Sequence, residues 1–301
     1  MALEIRPTQP TDRDGVAAFC AHIWGGHDYV PRVWDEWLNA ADGLFLTGLL
    51  DGVPVAVARA YFPAPDEAWL EGMRVDPAHR HAGIALEVSA ALVEACRERG
   101  ARAIRLMTME NNTPIHRICA RLGLELIMRL RRRMRPLEMG LAPGALRWLR
   151  GDEEPLAWAL LKRDKLAVGT EPSLTFTHGL YSLGGGIWTA WNEERLRAHL
   201  ARGEVWTWEG KRGPRAIAVV SPHRRYPSLF EVGLLEGPAS DCTALLSALV
   251  RREVLPPVNP DRPPGVRMFL PVELKRLHRA AARSRYRLTW RRQMLIYERR
   301  L

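Results

Sequence analysis

The stretch that most constrains the fold is 69-WLEGMRVDPAHRHAGIALEVSAALVEACRERG-100. It reads as a buried strand, then a tight loop carrying Arg80, Ala82, Gly83 and Ala85, then a long amphipathic helix. Small residues at a strand-to-helix turn point several backbone N–H groups at one spot. That spot lies at a helix N-terminus, where the partial positive charge favours an anion. The loop is too short for a Walker-type phosphate loop and lacks the Lys-Ser/Thr that would follow. It is not a GxGxxG motif either, because it holds one glycine. Gly83 has no Cβ, so the chain can take a positive φ there and let a ligand approach closely.

The elements around this stretch follow a definite order. Leu3–Arg6 reads as a strand, and Thr11 with Asp14 as the cap of a helix through Val16–Trp24, ended by Gly25-Gly26. A second helix begins near Pro31 with Val33, Trp34, Trp37 and Leu38 on its apolar face. Leu44–Leu50 and Val53–Phe62 form a hairpin about Asp51-Gly52. Strand Trp69–Val75, helix Ala82–Arg99, strand Ala103–Thr108, helix Thr113–Leu122 and a final strand or two over Leu124–Arg135 complete the run. In the run 129-RLRRRMR-135, alternation puts Arg129, Arg131, Arg133 and Arg135 on one face, which we read as a solvated edge strand.

Pro136–Pro143 reads as a linker. Beyond Leu180 come a helix in 187–203, strands over Val205–Trp208, Arg215–Ser221 and Leu229–Leu235, and a helix over Cys242–Val254. After a Pro-rich loop, Pro256–Gly265, follow strand Val266–Leu270, helix Pro271–Arg283 and strand Arg287–Tyr297. This repeats the element order of the first half, without the Arg-x-x-Gly-x-Ala loop.

Of the 301 residues, 47% are hydrophobic and 26% charged, which fits a globular chain and argues against disorder. No apolar run is long enough to span a bilayer and no signal peptide is evident, so a cytoplasmic protein with no membrane partner is expected. The four cysteines are scattered without CxxC pairs, so no metal is expected. The net charge of +10 suits phosphates. Nucleic acid is not the expected partner, since the excess is arginine of the kind a high-GC codon bias produces.

With these residues in place, the chain resembles the GCN5-related N-acetyltransferase (GNAT) superfamily over roughly residues 1–137. The resemblance rests on Arg80-x-x-Gly83-x-Ala85 in its strand–loop–helix setting and on the element order. It implies an α/β mixed sheet of the acyl-CoA N-acyltransferase fold. The chain would hold two tandem copies, 1–137 with the acyl-CoA loop and 138–301 diverged and without it. Acetyl-CoA would be the cosubstrate. Its pyrophosphate would meet Arg80, His81, Ala82, Gly83, Ile84 and Ala85, and its pantetheine arm Met73, Arg74 and Val75, with the Met73 N–H as oxyanion donor. The segment 110-ENNTPIHRICARLGL-124 resembles the family's Asn-x-x-Ala-x-x-x-Tyr-x-x-x-Gly-Phe stretch, which puts Asn112 at the reactive centre. Cys119 stands where the family's Tyr protonates the leaving thiolate, and we take Cys119 as the candidate acid, with His116 as another donor.

Glu71 interrupts an apolar strand two residues before Met73. That spacing places both on one face and makes Glu71 the candidate base for the substrate ammonium. Asp28, Tyr29 and Trp34 are candidates for the acceptor wall. Asp28-Tyr29-Val30-Pro31 with Trp37 and Leu-Glu-Gly-Met-Arg-Val also resembles histidine N-acetyltransferase-like proteins, which implies an amino acid or other small amine as acceptor. The expected function is acetyl transfer to a primary amine by direct attack in a ternary complex, in a monomer or homodimer. The alternatives are a non-catalytic acyl-CoA sensor and an acetyltransferase acting on nucleic-acid- or ribosome-associated protein.

Overall fold

The computed structural model describes residues 2–162, 171–211, 213–255 and 264–301; most of the Pro-rich loop expected over 256–265 lies outside them. The chain divides into two compact units. Unit 1 comprises residues 1–108, 112–126 and 296–301, and unit 2 comprises 109–111 and 127–295.

Unit 1 opens with β1 (Leu3–Pro7), α1 (Arg13–Cys20), α2 (Trp34–Asn39), β2 (Gly43–Leu50) and β3 (Val53–Ala64). It continues through β4 (Glu67–Val75), α3 (Ile84–Glu98), β5 (Ala103–Met109) and α4 (Thr113–Arg121). Strands β1 to β4 pair antiparallel in sequence order. The β2–β3 turn is the two-residue kind foreseen, with positive φ at both Asp51 (51°) and Gly52 (79°), as the right-handed twist of a hairpin requires. The start of α1 differs from the expectation. Asp12, not Asp14, supplies a capping carboxylate, and it caps the 3₁₀ turn Pro10–Asp12 that leads into α1, accepting from the Gln9 N–H at 2.8 Å while Arg6 grips its other oxygen at 2.7 Å.

One face of this sheet carries Ala56, Ala58, Ala60 and Phe62 and packs on Ile84, Val88 and Leu92 of α3. The other carries Phe45 and Val57 and packs on Val16 and Phe19 of α1 and on Trp34 and Trp37 of α2. The period-2 alternation of β3 is what feeds both cores at once.

β4 and β5 run parallel. The strand on the far side of β5 comes from the end of the chain, β15 (Met294–Arg300), and not from the segment after α4. It runs against β5, with the Leu301 N–H donating to Arg102 O at 2.9 Å and Arg105 Nε donating to Glu298 at 2.5 Å. Arg105 also bonds Glu67, so one buried guanidinium ties together β4, β5 and β15.

Unit 2 takes up most of β6 (Glu125–Pro136) and then β7 (Leu146–Trp148), α5 (Glu154–Leu161), β8 (Leu180–Gly184), β9 (Ile187–Ala190) and α6 (Glu193–Ala201). It continues with β10 (Val205–Gly210), β11 (Gly213–His223), β12 (Tyr226–Glu236) and α7 (Ala239–Leu249). β13 (Gly265–Pro271), α8 (Lys275–Arg283) and β14 (Arg287–Leu288) complete it. Its strand order is β7-β10-β11-β12-β13-β6, antiparallel throughout except for the parallel pair β12–β13. Unit 1 has the same scheme in β1-β2-β3-β4-β5-β15, with its parallel pair in the same place. The repeat read from element order is therefore a repeat of topology.

The division at residue 137 is corrected by these pairings. β6 forms a ladder with β13 from Leu130 to Pro136, and β15 lies beside β5. Element order along a chain does not state which strand a late strand will pair with, and here each unit is closed by a strand from a distant segment.

The arginine run is also not a solvated edge. β6 is paired with both β13 and β14. Arg133 donates to Tyr286 O at 2.9 Å and Arg135 to Ser284 O at 2.7 Å, which satisfies carbonyls just past the end of α8 that have no intrahelical donor. Replacing Arg105 by Met leaves Glu67 buried without its cation. Urea denaturation of the Arg105→Met variant is expected to show a loss of about 3–5 kcal/mol.

Candidate active site

The local feature that shapes β4 is Gly72, with φ at 71°. Arg59 on β3 stands opposite Glu71 and Val57 opposite Arg74, so Gly72 and Met73 together face one residue, Ala58. This is a β-bulge, and its extra residue resets the alternation. Leu70, Met73 and Val75 pack into the core under α3, while Glu71 and Arg74 turn to the face of α1 and α2. The sequence expectation that Glu71 and Met73 share a face is corrected here, because the period-2 rule fails across a bulge. Only glycine fits: a Cβ on residue 72 would lie 2.5 Å from Trp37 Cη2.

Just before the bulge the sheet opens. β4 pairs with β5 only from Glu67 to Trp69, although both strands continue. Among the described residues the β5-facing edge of β4 has no ladder partner from Leu70 onward, which leaves donors and acceptors for an extended ligand.

The edge runs directly into the loop before α3. Asp76 accepts from the Ala78 N–H at 3.0 Å and its other oxygen meets His79 Nδ1 at 3.1 Å, fixing a 3₁₀ turn. His81 and Gly83 then take positive φ, 68° and 86°. Leu86 and Glu87 donate to Gly83 O. Among the described residues no acceptor is found for the N–H groups of His81, Ala82, Gly83, Ile84 and Ala85. Arg80, His81, Ala82 and Gly83 are exposed, and Ala85 is half-buried. The Ile84 side chain is buried in the core under α3, so it contributes its backbone alone. The result is a row of free donors at the positive end of a 15-residue helix.

Around the bulge the carboxylates are ion-paired. Glu71, with its side chain 11% exposed, receives Arg59 Nη1 at 2.5 Å. Arg59 is itself 1% exposed and faces the rings of Trp37 and Tyr61. Among the described residues its Nε and Nη2 have no hydrogen-bond partner, with Asp42 Oδ1 3.5 Å from Nη2. Asp28 is buried, accepts the Val30 N–H at 3.0 Å and binds Arg74 Nε at 2.5 Å. Arg74 lies over Tyr29 at 5.0 Å and over Trp24 at 4.3 Å, and donates to Met73 O at 2.8 Å. Tyr29 is half-buried, edge-on to Trp37. Trp34, 1% exposed, belongs to the core against Phe45 and does not line an accessible wall.

The segment after β5 treats its candidates unequally. Asn112 sits at the N-cap of α4, where its Nδ2 donates to Thr108 Oγ1 at 2.9 Å. Cys119 is 0% exposed, and burial pushes its thiol up to about 11. A thiol that weakly acidic, with no access to a ligand, does not protonate a leaving thiolate of ordinary pKa near 8.5, so the acid assignment to Cys119 is corrected. His116 Nδ1 lies 3.0 Å from the hydroxyl of Tyr297, a residue of β15.

Sequence reasoning missed Arg59, Gly72 and Trp24. An arginine inside the apolar run 53-VPVAVARAYF-62 was the available signal for Arg59. A glycine inside a strand was the signal for Gly72.

Residues 16–124 match the model of the acetyltransferase (GNAT) family. This segment is a GNAT-family domain. The whole chain shares its fold with a GCN5-related N-acetyltransferase from Sphaerobacter thermophilus, at 13% identity over 99% of this chain and 95% of that one, TM-score 0.59. A tandem GNAT protein from the clavulanic acid biosynthesis pathway is similar at 12% identity over 99% and 98%, TM-score 0.58. A GCN5-related N-acetyltransferase from Kribbella flavida is similar at 15% identity over 99% and 72%, TM-score 0.50. No curated protein matches the sequence.

In the second unit, the bulge recurs and the loop does not. Val220 stands opposite Val232 and Val219 opposite Leu234, so Gly233 is the extra residue of β12, matching Gly72 of the GNAT domain. A Cβ there would lie 2.0 Å from Ser182 O. But Gly237-Pro238 alone separates β12 from α7. Glu236, the last residue of β12, pairs with Arg276 at 2.8 Å and accepts from the Ser173 N–H.

The Gly72→Ala variant is expected to lose about 2–4 kcal/mol in denaturant titration, from left-handed strain plus overpacking against Trp37. Cys119→Ala, by contrast, is expected to keep the wild-type affinity for acetyl-CoA and the wild-type pH dependence of any thiol release.

Proposed function

We propose that unit 1 binds acetyl-CoA and transfers its acetyl group to the primary amine of a small molecule by direct attack in a ternary complex. The observation that carries this reading is the open edge of β4 leading into a row of unpartnered N–H groups at the α3 N-terminus. The donors of His81 to Ala85, with the exposed Arg80 beside them, suit a pyrophosphate. The opened edge at Met73–Val75 suits the amides of a pantetheine arm. The Met73 N–H, at the bulge, is our candidate donor to the developing oxyanion.

Glu71 is the candidate base, held in one orientation by Arg59. It takes the ammonium proton, directly or through water, and frees the amine lone pair. The C–N bond forms at the thioester carbon, the nitrogen sheds its second proton to water as the C–S bond breaks, and the thiolate leaves with its electron pair. Its ordinary pKa near 8.5 lets it depart without a dedicated acid. Asn112 positions the reacting groups from the N-cap of α4.

The reading as an enzyme of ribosome- or nucleic-acid-associated protein loses support, since Arg133 and Arg135 are engaged with carbonyls of their own unit.

Calorimetry with acetyl-CoA and a thiol-release assay over a panel of amines test the proposal. Glu71→Gln is expected to bind acetyl-CoA like the wild type and to turn over about 10²–10⁴-fold more slowly. Equal rates would remove Glu71 as base. Gly83→Glu is expected to abolish the binding isotherm, because it sets a strained backbone and a negative charge at the phosphates.

A further inference from the structure

One segment of unit 1 carries costs that its own packing does not offset. Trp24, Gly25 and Gly26 have φ of 51°, 64° and 81°, three left-handed residues in succession. The first is a bulky residue, for which that region is strained. The same residue leaves its indole 64% exposed, the most exposed tryptophan among the described large apolar side chains. Among the described residues its ring lies over the Arg74 guanidinium at 4.3 Å. Arg74 is anchored by Asp28 and by Met73 O, at the bulge of β4. The exposed indole therefore stands beside the reacting end of the proposed cofactor strand, stacked on Arg74.

The charges nearby limit what would stack there. Asp28 is paired with Arg74, Glu71 with Arg59, and Glu67 and Glu298 with Arg105. A polycation is recognised by carboxylates that it alone neutralises, and each of these already has a guanidinium. A second ammonium on the acceptor would find no unpaired carboxylate among them.

We infer that Trp24 selects the acceptor, and that the acceptor is an amine with an aromatic body and no second positive charge. This rests on the acetyl-transfer reading and names its substrate class. Trp24 and the Arg74 beneath it form a flat platform, on which an aromatic ring stacks while the amine reaches toward Glu71.

The test is steady-state thiol release from acetyl-CoA with 2-phenylethylamine, phenylalanine and spermidine, in the wild type, Trp24→Ala and Trp24→Phe. Calorimetry confirms in each that acetyl-CoA affinity is kept. The wild type is expected to prefer the aromatic amines over spermidine. Trp24→Ala is expected to raise KM for them about tenfold with kcat within about twofold, on the scale of one aromatic contact. Trp24→Phe is expected to recover most of that loss. An unchanged KM in Trp24→Ala, or spermidine as the best acceptor, overturns the inference and leaves acetyl transfer standing. A wild type that binds acetyl-CoA and releases no thiol with any of the three overturns both.

Discussion

The contact on which the site depends is the face of Trp37 against the bare Cα of Gly72. A side chain at residue 72 has nowhere to go, and the glycine in turn takes the left-handed turn that inserts one extra residue into β4. Three consequences follow from that one residue. Met73 and Val75 are kept on the side of α3, Glu71 and Arg74 are turned to the side of α1 and α2, and β4 parts from β5 just upstream. A regular strand would have continued its ladder and left no open edge.

The paired units show which parts of this arrangement are architectural and which are chemical. Both have a glycine bulge next to the parallel pair, Gly72 and Gly233, so the bulge belongs to the topology. Only the first has the long loop before its helix. In the second, two residues span the same gap, and the residue before them, Glu236, is ion-paired with Arg276. Aligning 69-WLEGMRV-75 with 230-FEVGLLE-236 on their glycines puts Val232 where Glu71 stands, so the candidate base is missing from the second unit as well.

Much of the fold was legible because its signals are local. The Asp51-Gly52 turn, the apolar period of α3 and the small residues of the 80–85 loop each act within a few positions. Contacts between distant segments were not legible. Nothing near Arg129–Arg135 states that those side chains cap α8, and nothing near Leu124 states that the next strand belongs with β13. The site followed the same rule. The turn of positive φ at the start of α3 was read from its spacing, whereas the face on which Glu71 sits was misread, since alternation carries no record of a bulge. Cys119 was judged by residue type and position on a helix, and burial, which decides its acidity, is a property of the folded state.

The late strand of unit 1 also bears on the order of events during synthesis. Arg105 is bridged to a residue 193 positions further on. At about 5–20 residues per second, the ribosome needs roughly 10–40 s to cover that distance. Throughout that interval β5 has no neighbour on one side, and Glu67 and Arg105 have no third member. The nascent unit thus exposes an unpaired strand edge for a time that is long compared with hairpin formation, and its last ladder closes only after the whole of unit 2 has been translated.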